Sequence, residues 1–137
     1  MKEAFKEAKK AQEEGEVPVG AVIVSNNMII AKAHNQVETL NDPTAHAEML
    51  AITSATNYLG SKYLENCTMY VTLEPCMMCA SALNWAKIDR IVYAAEDEKN
   101  GFMKYGKSVL HPKTKLEFGL MSEESSRILK EFFVEKR

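Results

Sequence analysis

Long apolar runs are missing from this chain: the longest, residues 19–24 and 69–73, fall far short of the roughly 20 residues that cross a bilayer. A membrane-spanning helix is thereby excluded. The N-terminus, Met1-Lys2-Glu3-Ala4-Phe5-Lys6-Glu7, lacks the apolar core and small-residue cleavage site of a secretory signal. That absence points to the cytoplasm. Cysteine is scarce, with three in 137 residues. An odd number, in a chain large enough to need no staples, makes no disulfide framework. Nor does one sign of charge dominate. With 17 basic and 19 acidic side chains the net charge is −2, so no global basic field draws in nucleic acid.

What is present has the balance of a globular protein, 46% hydrophobic and 26% charged, without internal repeats or low-complexity segments. The length fits a single domain, residues 1–137, that buries roughly two thirds of its unfolded surface. Charge is spread unevenly. Residues 1–68 carry six basic and nine acidic side chains, and residues 69–137 carry eleven and ten. Lys99, Lys104, Lys107, Lys113 and Lys115 follow one another with no acid among them. They read either as a local basic patch or as a solvated, lysine-rich loop.

Periodicity supplies the elements. Residues 2–14 place Phe5, Ala8 and Ala11 on one helical face, with Gly15 at the C-terminal cap. Residues 17–25 and 28–33 are short apolar runs separated by Asn26-Asn27, which predicts an antiparallel hairpin. Asn41-Asp42-Pro43-Thr44 has helix-start chemistry, so a second helix is predicted over 43–58. A buried strand follows at 68–73, a third helix from Pro75 to about residue 86, and another strand at 90–95. Residues 97–115, with Gly101, Gly106 and Pro112, read as a long connection. Ser122-Glu123-Glu124 opens a last helix with Ile128, Leu129, Phe132 and Phe133 on one stripe. This order predicts an α/β sandwich whose helices cover a mixed sheet.

Two of the cysteines, Cys76 and Cys79, stand in Cys-x-x-Cys spacing behind Pro75. Three residues apart at a helix start, both sulfurs project from one face, and the positive helix end favours the thiolates that zinc requires. His46, also near a helix start, adds an imidazole. Three protein ligands leave zinc an open position for water, whereas a fourth would close the site. Cys67 lies at the far end of the predicted strand, on the order of 20 Å from Cys76 at about 3.3 Å per residue, and is not expected to ligate. His34 and His111 read as strand-end and loop side chains. Zinc lowers the pKa of bound water from about 15.7 to near 7. Glu48, two residues from His46, is placed to carry the protons. His-x-Glu followed by Pro-Cys-x-x-Cys is the signature of zinc nucleobase deaminases.

The sequence resembles the cytidine deaminase superfamily, and within it the bacterial tRNA-specific adenosine deaminases. The likeness is densest at Glu16-Val17-Pro18-Val19-Gly20-Ala21-Val22, His34-Asn35, Asp42-Pro43-Thr44-Ala45-His46-Ala47-Glu48-Met49 and Tyr70-Val71-Thr72-Leu73-Glu74-Pro75-Cys76-Met77-Met78-Cys79-Ala80. It implies a three-layer α/β/α sandwich with a five-stranded mixed sheet, a homodimer with one zinc ion per subunit, and a tRNA anticodon loop as partner. The implied reaction converts adenosine to inosine at the wobble position, with attack at C6 and loss of ammonia. By the same likeness, Asn35 contacts the flipped base, the Ala47 amide helps orient it, and Asp97 and Lys99 lie close to the RNA. Without it, Asn35 reads as a turn residue. Trp85 and Tyr105 are candidates for base stacking, but core packing and loop anchoring are the preferred readings. Two rivals remain: a deaminase of a free base or nucleoside of guanine or cytosine type, and a noncatalytic, deaminase-like zinc subunit.

Overall fold

The computed structural model describes residues 1–136. The hairpin takes the form that Asn26-Asn27 predicts. β1 (Gly20–Ser25) and β2 (Met28–His34) pair antiparallel. The two asparagines turn the corner with φ of 51° and 62°, the double positive φ of a two-residue hairpin turn. β1 starts at Gly20 rather than at residue 17 because Pro18 has no amide for a ladder and the Val19 amide turns back onto the Val17 carbonyl at 2.8 Å.

β3 (Cys67–Leu73) joins the other edge of β1, antiparallel, and β4 (Arg90–Ala95) lies parallel to β3. A fifth strand, β5 (Lys115–Phe118), adds parallel to β4 and completes the order β2-β1-β3-β4-β5. The sheet is mixed and five-stranded, as expected. Its last strand comes from the end of the stretch that reads as connection. Only Leu116 of its four residues turns inward, too short an alternation to mark a strand in sequence.

Side-chain alternation then assigns the layers. The register aligns Ala21, Val71 and Tyr93 in one row and Ile23, Met69 and Ile91 in the next. Both rows are buried in one cluster with Ala47, Ala51 and Ala55 of α2 (Ala47–Leu59) and Ala80 and Leu83 of α3 (Met77–Trp85). The intervening positions Gly20, Val22 and Val92 face the other way. There α1 (Lys2–Glu13) lies across the strands on Ala4, Ala8 and Ala11, all with 0% exposure, and touches α4 (Ser122–Glu135). Helices on both faces make the expected α/β/α sandwich. Among the described residues no helix is long and apolar enough to cross a membrane.

Gly20 sets how closely α1 approaches. A Cβ there would overlap the Ala4 carbonyl oxygen and crowd the Ala8 amide. Gly20→Ala is therefore expected to cost about 1–3 kcal/mol, typical of overpacking. It is read as a lower urea midpoint with an unchanged slope.

Three expectations are corrected. α2 begins at Ala47, not at residue 43. The cap chemistry of the preceding segment is spent on a turn instead: Asn41 takes φ 51°, and Asp42 Oδ1 accepts from the Thr44 amide and hydroxyl at 2.8 Å each. Trp85 is not core. It is 83% exposed at the last residue of α3. Tyr105, in the 3₁₀ turn Phe102–Tyr105, is likewise 56% exposed rather than anchored. Phe102, three residues earlier, is fully buried and meets Tyr93 edge-on.

Candidate active site

The turn at Asn41-Asp42 delays α2 so that His46 becomes its N-cap residue, with extended φ and ψ of −75° and 152°. Cys76 caps α3 in the same way, and Cys79 follows in the first helical turn. Two helix starts thus converge from sequence positions 30 residues apart. His46 Nδ1 stands 3.7 Å from Cys76 Sγ and 3.5 Å from Cys79 Sγ, and all three atoms lie within 4.8 Å of one another. A tetrahedral zinc ion with Zn–S of about 2.3 Å and Zn–N of about 2.0 Å separates its ligand atoms by roughly 3.5–3.8 Å. The spacing and the soft donor set both fit zinc.

The other candidate ligands are engaged elsewhere. Cys67 is buried at the opposite end of β3, its thiol directed to the Glu65 carbonyl at 3.4 Å. His34 sits between Glu7 and Glu14, 3.2 Å from the first through Nδ1 and 3.1 Å from the second through Nε2. His111 Nδ1 accepts from the Lys113 amide.

The three donors and Glu48 tune one another. A hydrogen bond from the Cys79 thiol, helped by His46, pulls the Cys76 thiol down to about 4, while that same bond and burial push Cys79 up. His46 is raised, chiefly by its hydrogen bond to Cys76. Zinc binds thiolates, so its binding releases the protons these thiols carry. Glu48 is only 4% exposed, and burial pushes its carboxyl up to about 7. A carboxyl poised there exchanges protons readily near neutral pH.

An open groove of about 1610 Å³ runs past these groups and is lined by His46, Glu48 and Cys76 together with Asn35, Asp97 and Lys99. Sequence reasoning had chosen all six. Ala47 and Cys79 lie behind the surface, each with 0% exposure. The Ala47 amide donates to Asn35 Oδ1 at 2.7 Å, so this amide is occupied, and Asn35 is oriented with its Nδ2 free to donate. Asp97 spends its side chain on its own loop, where Oδ1 accepts from the Lys99 and Asn100 amides at 3.2 and 3.0 Å. Lys99 lines the groove, and its carbonyl accepts from Lys104 Nζ at 2.8 Å.

Two buried glutamates on the groove were not singled out by sequence reasoning. Glu16 accepts from the Glu38 amide at 3.1 Å and from the Thr39 amide and hydroxyl at 2.7 Å each. Glu74 does the equivalent for the segment after β4. The available signal was their position against apolar strand residues, since a carboxylate there is buried and must find donors. Burial raises the Glu16 carboxyl, but its bonds to Thr39 and Glu38 outweigh this and hold it below the usual range. A depressed folded value contributes stability above the unfolded pKa of about 4.3, and this stability is lost as pH falls through the folded value. Glu16→Gln is thus expected to cost about 1–3 kcal/mol at pH 7. In urea titrations its deficit against wild type should shrink below about pH 4.

Comparison with known proteins agrees with this geometry. Residues 1–95 match the family described as the cytidine and deoxycytidylate deaminase zinc-binding region. The tRNA-specific adenosine deaminase of Aquifex aeolicus is 50% identical over 142 residues, covering 100% of this chain and 93% of the relative. A structure from a study of A-to-I editing by tRNA:A34 deaminases at the wobble position superposes with a TM-score of 0.89 at 41% identity, covering 94% of this chain and 97% of that one. The X-ray structure of guanine deaminase from Bacillus subtilis gives 0.66 at 45% identity, covering 69% and 61%. From a match that spans both helix starts and from half-identity along its whole length, the chain belongs to the zinc-binding cytidine and deoxycytidylate deaminase family.

Proposed function

We propose that this chain is a hydrolytic deaminase that converts adenosine to inosine at the wobble position of a tRNA anticodon. The observation that carries the reading is the junction of the two helix starts, where a three-donor set of zinc spacing meets a buried glutamate on one groove. The full-length likeness to enzymes named tRNA-specific adenosine deaminase supports the substrate. One domain over residues 1–137 carries the activity, because strands from Gly20 to Phe118 form one sheet.

His46, Cys76 and Cys79 hold one zinc ion per subunit, which when bound supplies Lewis-acid activation of water. Glu48 takes a proton from the attacking water and delivers it to the departing nitrogen. A C–O bond forms at C6 of adenine, the C–N bond breaks, and ammonia and inosine result. Asn35, locked by the Ala47 amide, donates from Nδ2 to an acceptor on the base. Lys99 meets a phosphate of the extruded loop, and Asp97 shapes the turn that presents it. A tRNA substrate places the work in the cytoplasm.

The homodimer rests on the family resemblance, and the exposed Trp85 would gain cover from it. As this is the single tryptophan, its fluorescence should shift to shorter wavelength as concentration rises through the dimerisation range, in step with sedimentation.

The deciding assay incubates zinc-loaded protein with an anticodon stem-loop carrying wobble adenosine, and separately with guanine, cytosine, adenosine and cytidine. Inosine at the wobble position establishes the reading. Ammonia from free guanine with untouched RNA favours the small-molecule alternative, to which the likeness to a guanine deaminase structure lends weight.

A further inference from the structure

We infer that Glu74 is a positioning residue that fixes the substrate-facing loop 97–103 to the zinc-ligand helix and so sets the width of the groove. The inference rests on the deaminase reading above, since it assigns that loop to the substrate. Glu74 stands between β3 and the Pro75-Cys76 helix start, 5% exposed, and its own amide donates to the Ala95 carbonyl at 2.8 Å. Its carboxylate divides between the two ends of the loop: Oε1 accepts from the Asp97 amide and Oε2 from the Met103 amide, each at 3.0 Å. Among the described residues it has no cationic partner. A buried carboxylate held by backbone amides alone makes charge-assisted bonds and is fixed by them in turn.

The loop is fitted around this carboxylate. Gly101 pairs with Cys76 in an isolated antiparallel bridge, and the Phe102 amide donates to the Pro75 carbonyl at 2.9 Å. A Cβ on Gly101 would overlap the Glu74 carboxyl group, so the backbone lies directly against it. The residue two before a zinc ligand thereby holds the loop that carries Lys99. Base-binding centre and phosphate-contacting side chain move as one body. Loss of the latch should weaken capture of an extended substrate more than it slows chemistry on a bound one.

Glu74→Gln replaces one acceptor with an amide that faces another donor. Residue-resolved hydrogen exchange on the zinc-loaded protein is expected to show at least about tenfold faster exchange at the Asp97 or Met103 amide, the equivalent of one lost charge-assisted bond. Exchange in β1 and β3 and the zinc content should be unchanged. With the stem-loop substrate, KM should rise about tenfold while kcat at saturation stays within about threefold. Gly101→Ala, which pushes the loop off the same carboxylate from the other side, should reproduce both effects and serves if Glu74→Gln does not fold. Unchanged exchange at both amides overturns the latch, as does a fall in kcat with KM unaltered. If wild type leaves the stem-loop untouched, the proposed substrate fails, while exchange still decides whether Glu74 holds the loop.

Discussion

Glu48→Gln is expected to leave the zinc site filled and the fold intact, and to lower kcat by about 10²–10⁴-fold, the usual contribution of a positioned acid–base group. Three features make the effect this large. Glu48 is the buried carboxyl on the groove beside the zinc donors, with its carboxyl pushed up to about 7 by burial. It sits one residue past the first residue of α2, so the helix that carries His46 also carries the proton acceptor. Glutamine fills the same volume but cannot take a proton from water, so shape is conserved and only the transfer is lost. Burying a neutral amide also costs less than burying a carboxylate, and the melting temperature should not fall. Metal analysis, a thermal melt and single-turnover deamination on one preparation check all three statements. Activity within about threefold of wild type would remove Glu48 from the proton path.

The site was largely legible because its signals are short in sequence. His46 and Glu48, and Cys76 and Cys79, each lie at a helix start; the three-residue spacing puts both sulfurs on one face, and Glu48, two residues after His46, is kept near it by the shared start of α2. Other parts depended on long-range partners and were not legible. β5 is ordered by pairing with β4 rather than by its own pattern. Asn41-Asp42-Pro43-Thr44 offers helix-cap chemistry that the fold uses for a turn, and no local rule separates the two. Trp85 was read as core because its area favours burial, yet it ends α3 facing outward. The partners of Glu16 and Glu74 were not legible either. Only the folded chain brings the amides of Thr39, Asp97 and Met103 to them.

The three cysteines should behave as two classes. Cys76→Ala or Cys79→Ala removes one of the three donors that stand 3.5–3.7 Å from or around His46 Nδ1. Loss of a mere supporting partner already weakens metal binding about 10–100-fold, so loss of a ligand should exceed about 100-fold and abolish deamination. Either variant should leave gel filtration with little zinc, whereas wild type retains it. Cys67→Ala touches neither the groove nor the donor set. The thiol is fully buried at the start of β3, with burial raising it above the ordinary range, which is the state of an inert, packed thiol. Its replacement should cost about 1 kcal/mol of stability and leave zinc content and kcat at wild-type values. The contrast is informative because the two cysteines belong to opposite ends of one strand, Cys67 as the first residue of β3 and Cys76 three residues after its last. Loss of zinc from Cys67→Ala would mean that the far end of β3 reaches the metal. The site would then hold four protein ligands and be closed to water, and the hydrolytic reading of the groove would fall with it.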